Sequence, residues 1–238
     1  MVVALGWMAG VVTTVAGMGG GMLLTLALAA SWGDPIRAIA VATPALLVGN
    51  AQRMFLYRRS IAWRAAAPFV AAALPGSLLG GLLAVAVPPL WVQLGMATAA
   101  GIAVARHVGL LKITVPPVAM VPLGLGVGLA STAGGAGLLA GPILLSAGLS
   151  GPAYLATMSL SSLSMHVGRL AAFGAAGQMD AEIASTAAVL AVCIPLGNAT
   201  GRWVRDHVTA RRISHLEVAT AASLVVTALL GVARTFGT

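Results

Sequence analysis

The chain has 238 residues, of which 59% are hydrophobic and only 8% are charged, and its mean hydropathy is +1.00. Five acids, thirteen bases and four histidines cannot cover the water-facing surface of a chain this long, because soluble domains carry about 25% charged residues. A soluble enzyme or binding domain is therefore excluded. The net charge of +8 comes from bases that cluster near predicted helix ends, which is typical of membrane topology determinants rather than of nucleic-acid binding.

The apolar segments predict helices rather than strands of a β-barrel. Barrel strands alternate apolar and polar residues, whereas residues 38–47 and 184–194 are continuous apolar runs. Backbone groups in lipid must be hydrogen-bonded within their own segment, so such runs indicate helices. We therefore predict an all-α integral, multi-pass membrane protein.

Eight hydrophobic elements follow one another along the chain, in two series of four. Each series opens with a stretch that is broken by a glycine cluster, and three unbroken helices follow it. The first series has residues 2–32, 35–57, 63–86 and 90–106, and the second has residues 118–148, 151–173, 180–204 and 211–233.

The two series form an internal repeat. A shift of 116 residues places Thr43 on Ser159, Asn50 on His166 and Arg53 on Arg169. The shift later becomes 120, which places Pro75 on Pro195. We interpret residues 1–108 and 116–238 as two transmembrane repeats of a single membrane domain.

The charges predict that the two repeats enter the membrane in opposite senses. The loop after the second element is basic in the first repeat, whereas the loop after the third element is basic in the second repeat. Basic loops stay in the cytoplasm, so this mirrored bias indicates an inverted repeat. Inversion requires the broken element to be a hairpin that dips in and returns. The alternative is a broken helix that crosses fully, giving eight spans and a parallel repeat.

The glycine clusters are predicted to line the substrate region. Consecutive glycines allow the backbone to leave the helix and to approach a ligand, and helix N-termini at such breaks favour anions. Tight helix packing is the alternative explanation. The residues concerned are Gly17, Gly19, Gly20 and Gly21 in the first repeat and Gly134, Gly135 and Gly137 in the second.

Few polar residues lie within the predicted spans. Asn50 and Arg53 are three residues apart, as are His166 and Arg169, so each pair shares a helical face. Ionisable groups inside a membrane are candidates for function, although the arginines could instead reach the headgroups and His166 could be a packing residue. Thr43, Ser159 and Ser162 could hydrogen-bond a ligand or another helix.

Several chemistries have no residues to perform them. No paired acids fall within a predicted span, no His/Cys/Asp cluster has metal-ligand spacing, and the glycine runs lack the Lys-Ser/Thr of a phosphate-binding loop. We expect neither an enzyme nor a cofactor or metal. A coupling ion, either a proton or sodium, remains open, and His166 is the candidate proton site.

The duplicated order of motifs resembles the TauE/SafE sulfite exporter family. The stretches that carry the resemblance are AGMGGGMLL (16–24), GDPIRAIAVATP (33–44), PGSLLGG (75–81) and TAGGAGLLAGPILLSAGLSGPAYLATMSLS (132–161). Two departures are Leu26, which takes the place of the proline found at Pro142, and the interrupted cluster at 134–137.

The resemblance implies a secondary transporter of the bacterial inner membrane. Its substrate would be a small anion such as sulfite, a sulfonate or another organosulfur acid, and export would be the direction. A passive anion channel and a non-transporting assembly subunit are the alternatives. Lipid and the anion are the expected partners, no nucleic acid is expected, and the oligomeric state is left open.

Overall fold

The computed structural model describes residues 1–16, 19–107, 110, 116–134, 136–208, 219–220, 222–224 and 226–233. Regular structure in these residues is helical throughout, so the predicted all-α architecture is confirmed. The α-helices with complete bounds are α1 (Val2–Val15), α2 (Gly20–Trp32), α3 (Pro35–Tyr57), α4 (Trp63–Ala86), α5 (Pro89–His107), α6 (Met120–Gly134), α7 (Ala136–Ser146), α8 (Gly151–Ala175) and α9 (Ala181–His207). Helical residues recur between 219 and 233.

Within the described residues, three helices are long and apolar enough to cross a membrane. They are α3 with its short 3-10 extension, over Pro35–Ser60, then α4 and α9. The helices on either side of the glycine clusters are shorter: α1 and α2 have 14 and 13 residues. At 1.5 Å per residue these reach only about 20 Å, which is less than the hydrocarbon thickness of about 30 Å.

Capping residues define where the long helices begin. Asp34 precedes α3 and accepts a hydrogen bond from the backbone N–H of Arg37 at 2.9 Å, with Pro35 at the first helical position. Asp180 caps α9 in the same way, accepting from the N–H of Ile183 at 2.7 Å. These caps satisfy otherwise unpaired donors, and they explain why the predicted starts of both helices are accurate.

The first glycine cluster forms the tip of a helical hairpin, as favoured from the sequence. α1 ends at Val15, and α2 begins after Gly19, whose φ of 92° requires a glycine. The two helices run antiparallel, because the Ser31 hydroxyl lies 3.8 Å from Met1 Sδ at the open end, while Gly20 packs against Thr13 near the tip. We call α1 and α2 hairpin one. Gly17 lies outside the described residues.

The helices that the sequence predicts to be equivalent run in opposite directions. The last turns of α3 lie beside Leu155, near the start of α8, so α3 and α8 are antiparallel. α9 starts beside the start of α3, where Arg37 pairs with Glu182, and Asn198 lies beside Gly49 further along both helices. Since α4 begins at the end of the molecule where α3 finishes, α4 and α9 also run in opposite directions.

The second broken element also returns to the end from which it starts. Gly124 of α6 contacts Phe69 and Gly128 contacts Ala73, so α6 runs parallel to α4 and begins at the same end of the molecule. α8 begins at that end too, because its Thr157 hydroxyl accepts a hydrogen bond from the N–H of Ala62 just before α4. α7 must therefore run back, and α6 and α7 form what we call hairpin two.

Two close helix crossings join the repeats to each other. α1 crosses α9 and α6 crosses α4, and in each crossing both helices present glycines four residues apart. A Cβ at Gly10 would lie 2.2 Å from the carbonyl oxygen of Ile194, and one at Gly128 would lie 2.3 Å from that of Ala73. Backbones meet this closely only where side chains are absent. The four glycine pairs are Gly6/Gly10, Gly197/Gly201, Gly124/Gly128 and Gly76/Gly80.

The packing refines the alignment of the repeats. Gly201 packs on Val11 of α1, and its structural counterpart Gly80 packs on Leu129 of α6. The sequence alignment paired Gly201 with Gly81, one residue away. Gly81 instead faces α8, where an added Cβ would lie 2.5 Å from the Cβ of Ala172.

Charged residues separate to the two ends of the bundle. The end where α3 and α9 finish carries five exposed or half-exposed arginines, and we call it the arginine end. The opposite end carries Asp34, Arg37, Asp180 and Glu182. The arginines are Arg58, Arg59, Arg64, Arg202 and Arg205.

Candidate functional site

Arg53 of α3 is buried inside the bundle and holds the tip of hairpin one. Its side chain is 8% exposed, and its Nη1 donates to the carbonyl oxygen of Thr13 at 3.2 Å. Its Nη2 donates to Oδ1 of Asn50, one helical turn earlier, at 2.5 Å. Thr13 lies in the last turn of α1, where carbonyl groups have no partner within the helix. The arginine therefore satisfies a free carbonyl at the negative end of the helix dipole.

Arg169 of α8 repeats this arrangement in hairpin two. It is 3% exposed, and its Nη2 donates to the carbonyl oxygen of Ser131 at 2.5 Å and to the Ser131 hydroxyl at 3.2 Å. Ser131 lies near the end of α6, as Thr13 lies near the end of α1. Each repeat thus ties its own hairpin to its own long helix through one buried arginine.

Both arginines have one buried N–H donor that no described residue accepts from. The Nε of Arg53 and the Nε of Arg169 are buried without a hydrogen-bond partner among the described residues. Buried donors are normally paired, and a charged group left partly unpaired costs more than a neutral one. Each arginine therefore has a donor that its contact with the hairpin does not use.

No carboxylate balances these two positive charges in the part of the chain that the structure describes. The only ion pair found there joins Arg37 to Glu182 at the opposite end of the bundle. The acids Asp34, Asp180, Glu182 and Asp206 are all exposed, and Glu217 lies outside the described residues. Because isolated buried charges cost several kcal/mol, the interior is a strongly favourable place for an anion.

Arg53 and Arg169 lie on different helices and hold different hairpins. Arg53 lines the same cleft as Leu155, near the start of α8, whereas Arg169 lies 14 residues after Leu155 on α8. His166, which is 3% exposed, lies between these levels and within electrostatic range of both guanidinium groups. The site that the sequence predicts is therefore extended along the bundle, with one arginine and one hairpin tip towards each end.

A cleft reaches Arg53 from the arginine end of the molecule. It lies between α1, α3, α8 and α9 and is lined by both polar and apolar side chains. The lining residues include Thr14, Gln52, Arg53, Tyr57, Asn198 and Arg202. The cleft encloses only about 10 Å³, which is room for about one water molecule.

The predicted hydroxyl residues are all buried but differ in their bonding. Thr43 donates to the carbonyl oxygen of Ile39 in its own helix at 2.7 Å, which occupies its hydroxyl hydrogen. Ser159 and Ser162 are 2% and 4% exposed. Their place inside α8 leaves them as candidates for ligand contact.

The glycines at the hairpin tips also have packing roles. A Cβ at Gly20 would lie 2.1 Å from the carbonyl oxygen of Ala9, and one at Gly21 would lie 3.1 Å from the side chain of Leu46. A substitution at Gly20 would therefore disturb the packing of hairpin one directly, whether or not this glycine also contacts a ligand. Gly19 precedes α2, Gly134 ends α6, Gly137 lies in the first turn of α7, and Gly135 is outside the described residues.

Two features of the site were missed from the sequence. The first is the pair of arginine acceptors, although Thr13-Thr14 precedes the first glycine cluster as Ser131-Thr132 precedes the second. The second is Asn198, which donates to the Gly49 carbonyl at 3.2 Å and to Gln52 Oε1 at 2.9 Å. Asn198 also accepts from the Thr14 hydroxyl at 3.1 Å, so it links α1, α3 and α9 beside Arg53.

Comparison with known proteins identifies the family. The model of the sulfite exporter TauE/SafE family matches residues 2–232, which is nearly the whole chain. Curated proteins and solved structures give no significant match. The family comprises membrane transporters of the anion-exporter type. The chain belongs to the sulfite exporter TauE/SafE family.

Proposed function

We propose that this protein is a secondary transporter that exports a small anion, such as sulfite, a sulfonate or another organosulfur acid, across the inner membrane. The single observation that carries the proposal is the pair of buried arginines, Arg53 and Arg169, each with an unpartnered Nε. The exposed acids at the ends of the bundle cannot neutralise them. An anion supplies the missing charge and the missing acceptors together.

Oxyanions match the donors that these arginines have free. A guanidinium group presents donors in a planar fork that suits carboxylate, phosphate and similar oxyanions. Each arginine uses part of its fork on a hairpin carbonyl, which leaves the Nε edge for a ligand oxygen. Backbone N–H groups at the glycine tips and the hydroxyls of Ser159 and Ser162 are the further donors that we assign to the substrate.

The inverted repeat is part of the proposal, and the helix directions support it. α3 and α8 run in opposite directions, and so do α4 and α9, while the two hairpins open towards opposite ends. A twofold axis in the membrane plane relates repeats in this way. The concentration of arginines at one end supports a cytoplasmic position for that end, by the positive-inside rule.

Alternating access then follows from the position of each arginine. The cleft that Arg53 lines lies near the arginine end and encloses only about 10 Å³, so we assign Arg53 to the cytoplasmic side of a pathway that is closed in this state. Arg169, which lies further along α8, would receive the anion when the opposite side opens. Because each arginine holds a hairpin tip, binding of the anion is linked to the position of the hairpins.

Two measurements on the purified protein test this function. The melting temperature in detergent should rise with one or more of these ligands: sulfite, thiosulfate, sulfoacetate, sulfate, taurine and short carboxylates. At 100 times its dissociation constant, a bound ligand adds about 2.7 kcal/mol to the free energy of unfolding. Flux of the stabilising anion through proteoliposomes should saturate with concentration. Flux that does not saturate would indicate a passive channel, and no stabilisation by any anion would indicate an assembly subunit.

A further inference from the structure

His166 is buried, whereas His207, the other histidine whose burial the structure describes, is exposed. His166 lies on α8 three residues before Arg169, on the same helical face. It is 3% exposed, and its Nδ1 has no hydrogen-bond partner among the described residues. Arg53 lies within electrostatic range of it from α3.

The ionisable groups around His166 are guanidinium groups or phenols, and none of those described is a carboxylic acid. The elements packed against α8 are α3, α4, α6, α7 and the 3-10 turn after α3. α6 and α7 carry no ionisable side chain, and the arginines of the 3-10 turn and of the start of α4 are exposed at the arginine end. The remaining groups are Arg37, Arg53 and Tyr57 from α3, and Tyr154 and Arg169 from α8 itself. Arg37 pairs with the exposed Glu182 at the end of the bundle opposite the arginine end.

We propose that His166 is the coupling site of the transporter, binding one proton together with the anion. This inference rests on the proposed anion site between Arg53 and Arg169. In the empty site, an imidazolium would be repelled by two guanidinium groups in an environment that screens charge weakly. A bound anion offsets that repulsion and offers an acceptor to the protonated ring, so the proton and the anion bind cooperatively.

The proposal assigns one proton to each transport cycle. Neutral imidazole takes up one proton as the anion binds and returns it when the anion leaves, so no other reactant is needed. A monovalent anion would then cross with a proton as an electrically neutral pair. The anion and the proton then move in the same direction, so export requires an outward anion gradient that exceeds the inward proton gradient.

The first repeat supplies the contrast that makes the assignment specific. Asn50 occupies the place of His166 there, donating to the Leu46 carbonyl at 2.8 Å and accepting from Arg53. An amide side chain does not take up a proton near neutral pH. Only one repeat therefore carries a proton site, and His166→Asn converts the second repeat to the side chain of the first.

Calorimetric titration tests the coupling directly. The wild-type protein in detergent is titrated with thiosulfate or sulfoacetate, which stay fully ionised near neutral pH, in buffers of different ionisation enthalpy. The dependence of the heat on the buffer gives the number of protons taken up for each anion bound. We expect uptake that approaches one proton in the wild type and no uptake in His166→Asn, which should still bind the anion. His207→Asn, at an exposed histidine near the end of α9, is the matched control and should take up protons as the wild type does.

The outcomes separate this inference from the proposed function. Anion binding to the wild type with no proton uptake across about pH 5 to 8 would overturn the coupling role of His166 and leave the anion site intact. Proton uptake that persists in His166→Asn would overturn it as well. Failure of the wild type to bind any of these anions would overturn the proposed function and the inference together. The wild-type measurement alone decides the matter should His166→Asn fail to fold.

Discussion

The crossing of α6 over α4 gives a sharp prediction for Gly128→Ala. A Cβ at this position would lie 2.3 Å from the carbonyl oxygen of Ala73 and 2.9 Å from the backbone nitrogen of Ser77. Ordinary contact begins at 3.4 Å, so the two backbones would have to separate by roughly 1 Å, because neither atom can rotate away. Overpacking of this kind costs about 1–3 kcal/mol.

Gly126→Ala is the matched control on the same helix. Gly126 has nothing within 4 Å of an added Cβ, so its substitution reports only the gain in helix propensity, up to about 1 kcal/mol. Gly128→Ala has the same gain, so the difference between the two variants isolates the crossing. We expect Gly128→Ala to be less stable than Gly126→Ala by about 1–3 kcal/mol.

Thermal unfolding of the two variants in one detergent measures this difference. Gly10→Ala should behave as Gly128→Ala does, because its Cβ would meet the Ile194 carbonyl at 2.2 Å in the equivalent crossing of α1 over α9. Equal melting of Gly126→Ala and Gly128→Ala would refute the reasoning, since backbone contact between the repeats would then contribute nothing to stability.

Three further predictions follow from the same geometry. A reporter fused after Thr238 should be found outside the cytoplasm and one inserted at residue 110 should be found inside; a cytoplasmic carboxyl terminus would contradict the inverted arrangement. Asn198→Ala should lower the free energy of unfolding by about 1–3 kcal/mol, because three buried hydrogen bonds are lost; Ser77→Ala, whose hydroxyl bonds only its own helix, should cost less, and the reverse order would count against the network. Glu182→Gln should change stability by less than about 1 kcal/mol, because the Glu182 side chain is 72% exposed in its pair with Arg37; a larger loss would give this pair a structural role.

The sequence predicts the helices well because their signals are local. The apolar run after Asp34-Pro35 predicts a helix over 35–57, which is the observed extent of α3. The glycine clusters predict the breaks, and Gly19 shows why, since its positive φ is unfavourable for other residues. The composition indicates a membrane protein, and the shift of 116 residues pairs Arg53 with Arg169.

The contacts of the site could not be predicted, because they depend on how the repeats cross. Arg53 and Arg169 recur at one repeat position, which suggests a shared site, yet the antiparallel course of α3 and α8 sets them apart. Their acceptors are backbone carbonyls, which any residue supplies, so Thr13 and Ser131 carry no clear signature. Gly20 illustrates the same point, because its packing on Ala9 appears only when hairpin one is assembled.

Anion affinity in variants of the two buried arginines tests the central claim most directly. Arg53→Lys and Arg169→Lys retain a charge that can hold the hairpin carbonyl but remove the Nε donor, so each should weaken binding of the stabilising anion at least tenfold, which corresponds to about 1.4 kcal/mol. Arg58→Lys is the control, because this exposed arginine bonds only the Phe55 carbonyl, and it should bind as the wild type does. Equal affinity in all three variants, measured by calorimetry on folded protein, would contradict the account and show that the buried arginines only hold the hairpins in place.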